Sequence, residues 1–256
     1  MTIYYIHPQQ GSNSNDGLSS GSPKASPPAI GNGDTLRFAY GSTYITTSQW
    51  SWGTATGITL EAYGDSNLPL PIISITAAAT NALNIQGDGT HIIRYIHFKN
   101  ITTNNGGGAI GLGLVAATSK CAVGKITNCK FENISHNAIR LGNSTTSDAA
   151  PTFYCADNTF FNIGEDCIFG GSLVFEVARN TAKKISTNTA TGDFVGYLQC
   201  DPTFAWIHDN YIDHSDIFCK QCIIIDSSTG SGFTLIEGNV VIGAGGWTGS
   251  MGDDPD

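Results

Sequence analysis

Glu165 and Asp166 stand side by side in "GEDCIFGG", residues 164 to 171, in a chain of which only 13% is charged. Two carboxyl groups this close do not ionise independently, because the charge on one disfavours the charge on the other. One then keeps its proton near neutral pH and can donate it to a leaving oxygen. The other can activate water or attack a sugar carbon. A third acid, Asp193, follows 27 residues after Asp166 in "DFVGYL". Around these acids the sequence offers Arg140 and Lys220 as cations, Phe169 as an apolar ring, and His136, Asn137 and Gln221 as polar groups. Carboxylates for chemistry, a ring for stacking and polar groups for hydroxyls are the parts a saccharide site needs. Taken singly, an Asp or Asn beside a strand serves as a turn former. The gathering of three acids points to chemistry.

That gathering depends on a repeat. "NCKFENI" at 128, "DNTFFNI" at 157, "RNTAKKI" at 179, "DNYIDHS" at 209 and "GNVVIGA" at 238 share one frame. Their second positions, Cys129, Asn158, Asn180, Asn210 and Asn239, step by 29, 22, 30 and 29 residues. A second column runs through "GAIGLG", "NAIRLG", "DCIFGG", "DFVGYL" and "QCIIID", with Ile110, Ile139, Ile168, Val195 and Ile223 in line. A shared period of this length is the mark of a solenoid. Short strands in each turn stack in parallel about 4.8 Å apart, and inward residues fuse into one core. Asparagines at one corner can pass amide hydrogen bonds along the stack, and Asn tolerates a left-handed backbone there.

The expectation is an all-β, right-handed, single-stranded parallel β-helix of about 8 coils, each of roughly 22–33 residues. Residues 1–34 form an N-terminal strand and an irregular entry or cap segment, 35–249 the β-helix, and 250–256 a polar tail. In this frame His136–Asn137, Glu165–Asp166, Gly192–Asp193 and Lys220–Gln221 share one rim. Asp166 and Asp193 become neighbours in space, and Arg140 and Phe169 point outward from their strands. Asn137 and Gln221 are turn formers within reach of a substrate. Lys220 is a solvated charge well placed for an acidic sugar.

Composition supports this picture. Thirty-one glycines and abundant Asn, Ser and Thr favour turns and strands over long helices. The formal net charge of −9 argues against a nucleic-acid or anionic-membrane surface. No apolar run is long enough to insert into a bilayer, and "MTIYYIHPQQ" lacks the basic and apolar regions of a leader. Seven cysteines without a zinc-type cluster suggest buried, reduced thiols and no metal site. The four tryptophans, Trp50, Trp52, Trp206 and Trp247, are assigned to core or edge packing.

The opening "IYYIHPQQGSNSNDGLSSGSPKAS", the later "GNGDTLRFAYGSTY" and the Asn coils resemble the right-handed parallel β-helix proteins of the pectate-lyase-like superfamily. That group includes bacteriophage tailspike and tail-fibre depolymerases. "GEDCIFGG" is also similar to the paired-acid strand of polygalacturonase-type glycoside hydrolases. That likeness implies catalytic roles for Glu165 and Asp166. The third acid of that group falls on Asn137 here, and Asp193 on the following coil would supply the missing carboxylate. The amphipathic helix that usually caps such proteins has no counterpart in the sequence. The resemblance implies hydrolysis of a bacterial surface or capsular polysaccharide, a homotrimer, other phage tail proteins as neighbours, and a virion-tail or extracellular setting. Two alternatives stay open: a polysaccharide lyase acting on a uronate, for which Ca²⁺ is the implied ion, and a non-catalytic glycan-binding fibre. A hydrolase needs no cofactor.

Overall fold

The computed structural model describes residues 1–76, 81–87, 89–103, 107–112, 123–141, 152–185, 187, 196–215, 222–225 and 233–243. Among them lie 22 strands and no helix, and successive coils pair in parallel. One sheet has 14 strands and the other 8. The larger sheet covers two faces. Its long strands Ile168–Ala178 and Leu198–His208 pass around a corner, so that one end of Ile168–Ala178 pairs with Asn137–Leu141 and the rest with Thr152–Ala156. The chain is therefore a right-handed parallel β-helix with three faces. The first face runs from Ile3–Ile6 to Phe233–Glu237, the second from Thr43–Thr46 to Val240–Ile242, and the third from Trp50–Ser51 to Ile223–Ile225.

The corner strand accounts for the one short step in the asparagine column. Between Leu141 and Thr152 the chain spends residues 142–151, whereas Ile168–Ala178 goes straight from the third face to the first. Asn180 consequently follows Asn158 by 22 residues.

Inward rows build the core. Ile110, Ile139, Ile168, Leu198 and Ile223 are in register along the third face. On the second face Phe98, Phe131 and Phe160 stack with centroids 5.2 and 5.0 Å apart and rings nearly parallel. Each such side chain contributes about 1.5–3 kcal/mol by leaving water. Ala182 is next in that row, which leaves a ring-sized gap. Tyr197, fully buried and from the same coil, brings its ring edge-on to Phe160 at 6.2 Å and its hydroxyl to Asn210 Oδ1 at 3.1 Å.

The asparagine column forms as expected. Asn158 Oδ1 accepts from the Cys129 N–H, Asn180 Oδ1 from Asn158, Asn210 Oδ1 from Asn180 and Asn239 Oδ1 from Asn210, all at 2.9–3.0 Å. Each Nδ2 in turn donates to a carbonyl of the preceding coil, as Asn158 does to Ile126. A buried amide fully satisfied in this way stabilises the corner, and its loss would strand several buried partners. The left-handed residue is a correction to the expected arrangement. It is the one before the ladder position: Asn128, Asp157, Arg179, Asp209 and Gly238 have φ between 53° and 64°. The ladder amide must keep an extended backbone to reach along the axis, so the turn is made one residue earlier.

At the other end no helix caps the stack. Residues after Ile6 fold back onto the strand Ile3–Ile6, where Tyr5 N donates to the Gly17 carbonyl, Lys24 N to Tyr5 and His7 N to Lys24. This uses up an edge that would otherwise invite pairing with another chain. Cys129, Cys155, Cys167 and Cys200 are buried, and burial pushes the Cys129 thiol up to about 12.

Candidate active site at the corner between the second and third faces

The chain leaves the second face at Ile163 and turns onto the third at Ile168. Gly164 makes this turn feasible: a Cβ there would lie 1.9 Å from the Ser135 carbonyl oxygen. The next residue, Glu165, donates its N–H to the His136 carbonyl. Asn137, one coil earlier, then holds both acids. Its Nδ2 donates to Glu165 Oε2 at 3.0 Å, and its Oδ1 accepts the Asp166 N–H at 3.1 Å. Asp166 continues the pattern, with Oδ1 accepting the N–H of Gly196 at 2.7 Å. Asn81 does the same for Gly108 at 3.1 Å. This corner therefore carries a side-chain ladder of its own, in which Asp166 occupies an asparagine position.

Glu165 and Asp166 are both buried, at 8% and 4% exposure. Burial drives the Asp166 carboxyl up to about 8. The Gly196 N–H bond opposes that rise, and the negative charge of Glu165 adds to it. Burial thus favours the protonated form of Asp166 beside the second carboxyl group, Glu165. His136 is half-buried with Nδ1 2.9 Å from Ser135 Oγ, and burial lowers its pKa. Arg140 and Phe169 are in register on adjacent rungs, with the guanidinium 5.7 Å from the ring centroid. Burial lowers the Arg140 pKa while the Glu165 charge raises it. The structure thus brings together Glu165, Asp166, Asn137, His136, Arg140 and Phe169 at one corner.

Its register differs from the expected one after Ile168. Leu198, not Val195, lies level with Ile168, and the residue level with Asp166 is Gly196, three positions beyond Asp193. In this register the Tyr197 ring enters the core beside Phe160, in the row where Ala182 is small. Asp193, Lys220 and Gln221 lie outside the described residues.

Three features escaped the sequence reading. Asn100, Asn133 and Asn162 form an exposed second amide ladder at 2.9 and 2.8 Å, each with φ near 55°; their 33- and 29-residue spacing was the available signal. Glu132, between Lys99 and Lys130, is held down to about 2 by those two ammonium groups, while burial pushes His97 to about 4. Trp206 is 42% exposed on the first face, a correction to its assignment as packing; Trp52 is core and Trp50 packs against it. Trp247 lies outside the described residues. Among the described residues no group of three or more His, Cys, Asp or Glu is placed to hold a metal ion.

No protein-family model matches the chain, and no curated protein matches it in sequence. Among solved structures it is similar to the native crystal structure of a GH136 lacto-N-biosidase from Eubacterium ramulus, with a TM-score of 0.54 and 14% identity over 93% of this chain and 55% of that one. The chain thus spans about half the length of that enzyme. The selenomethionine form of the same enzyme matches at 10% identity over 95% and 68% of the two chains, with a TM-score of 0.28, too low to bear on the fold. The class defined here is the parallel β-helix, in a form shared with a glycoside hydrolase.

Proposed function

We propose that the chain is a glycoside hydrolase acting on an extended glycan, with the corner at Glu165 and Asp166 as its catalytic centre. Asp166 donates its proton to the glycosidic oxygen as the bond to the leaving sugar breaks. Glu165 either takes a proton from the water that attacks the anomeric carbon, or attacks that carbon itself to form a glycosyl-enzyme that water then hydrolyses. Arg140 and Phe169 hold the sugar through hydroxyl contacts and ring stacking. The observation that carries this reading is the Asn137 clamp, a single amide that fixes the Glu165 carboxylate and the Asp166 backbone side by side in a buried corner. Likeness of fold to a GH136 lacto-N-biosidase supports the same reaction class. A tailspike-like setting outside the cell, on a bacterial surface polysaccharide, rests on the resemblance of the opening segment.

The test is incubation with capsular polysaccharides and with a lacto-N-biose-terminated oligosaccharide, followed by chain length and new reducing ends. Shortening that disappears in Glu165→Gln and Asp166→Asn is the expected result. Products with the ultraviolet absorbance of an unsaturated uronate would mean a lyase. Undiminished activity in both variants would remove the corner from the chemistry.

A further inference from the structure

The first face carries a second feature that the hydrolytic corner does not use. Phe204, Trp206 and His208 alternate outward along Leu198–His208, between inward-facing Ala205 and Ile207. On neighbouring rungs Phe204 is level with Val174 and Phe233, and Trp206 with Glu176 and Leu235. Between these two rows runs a slot of about 320 Å³, large enough for a sugar ring. Ile236 and Val241 are bared because they face inward in the last described coil. Phe204 (51% exposed) and Trp206 stand outward one rung before it, so a further coil would not cover them.

Trp206 has two side-chain partners. His208 stacks on one side of its ring at 4.0 Å and 22°, and its Nε1–H donates to Glu237 Oε1 at 3.0 Å. Asp209 Oδ2 lies 2.9 Å from His208 Nδ1, and Glu176 Oε1 lies 3.5 Å from Nε2. The remaining ring face borders the slot, and Glu176 is the charged residue lining it. An aromatic face suits the C–H face of a sugar, and carboxylate oxygens at its edge accept sugar hydroxyls.

We infer that the Trp206 slot is a binding subsite for neutral glycan. This rests on the glycan reading given above and adds a second contact, remote from the corner, to the same polymer. Charge selects the occupant. Among the described residues no Lys or Arg lines the slot and Glu176 does, so a uronate would meet a carboxylate of like charge there.

The experiment is calorimetric titration of the full chain with cellohexaose, laminarihexaose and chitohexaose, with hexagalacturonate as the anionic control. The expected result is binding of at least one neutral hexasaccharide and none of hexagalacturonate. Trp206→Ala should weaken that binding about 10-fold, and Trp206→Phe should recover most of it. Glu165→Gln and Asp166→Asn should abolish hydrolysis, and Trp206→Ala should still weaken binding when added to either of them, so the subsite and the catalytic corner can fail separately. Four results would overturn the inference: no neutral hexasaccharide bound, equal binding of hexagalacturonate, wild-type affinity in Trp206→Ala, or a sedimentation dimer that Trp206→Ala dissolves.

Discussion

The carboxyl of Asp166 accepts the backbone N–H of Gly196, one coil onward, at 2.7 Å. Asn81 and Asn137 do the same work with side-chain amides at equivalent places. An acid that stands where a neutral amide serves elsewhere is held neutral by its surroundings, and here burial does so. The same geometry makes the residue a structural cap whose protonated form is favoured by burial.

The first consequence concerns stability against pH. Asp166 has a folded pKa of about 8, above the ordinary 3.8, so the folded chain keeps a proton that the unfolded chain releases. Unfolding free energy from this group therefore falls as pH rises between roughly 4 and 8, by up to about 1.4 kcal/mol per pH unit. Asp166→Asn keeps an acceptor for Gly196 and cannot titrate. Urea denaturation should show the variant gaining on the wild type from pH 5 to pH 8. The lowered histidines, His97, His136 and His214, give stability that rises with pH below 6.5, equally in both proteins, and cancel in the difference.

The buried asparagine ladder should respond far more strongly than the exposed one. Asn180→Ala strips the Asn158 N–H and the Cys155 carbonyl of their partners, at a cost of about 3 kcal/mol. Asn162→Gly removes one exposed amide bond at a left-handed position that glycine also adopts, and should cost less than about 1 kcal/mol. Paired chemical denaturation curves measure both.

Tyr197 and Ala182 should be coupled. Ala182→Phe restores a continuous ring stack but collides with the space Tyr197 fills, and should destabilise by about 1–3 kcal/mol. In Tyr197→Ala the same Ala182→Phe change should become favourable. A double-mutant cycle with no coupling would show that the two side chains do not share that space.

Gly164→Ala should act on both fold and chemistry. The new methyl would press on the Ser135 carbonyl, forcing the turn outward and moving Glu165 from Asn137. Stability should drop by about 2–3 kcal/mol, and hydrolysis should fall further than the unfolded fraction explains.

The columns of Ile110, Ile139 and Ile168 and of Asn158, Asn180, Asn210 and Asn239 were legible because parallel stacking gives like positions like tasks at a nearly fixed period. The register beyond Ile168 was not. Val195 preserves the apolar pattern as well as Leu198 does, and only the volume missing at Ala182 tells them apart. Glu165 and Asp166 could be recognised by residue type, but the inward turn of Asp166 toward Gly196 depends on the coil above. Trp206 lies in an apolar run, and its outward direction follows from its phase against Ala205 and Ile207 once the strand is known.

The proton on Asp166 can be observed directly. Titration of the side-chain carboxyl ¹³C resonances, assigned by loss of one signal in Asp166→Asn and another in Glu165→Gln, follows the two acids separately. A midpoint near pH 8 for Asp166, accompanied by a shift at Glu165 over the same range, is the predicted result. A midpoint near 4 for Asp166, with Glu165 unaffected by it, would contradict the acid pair on which the hydrolytic reading stands.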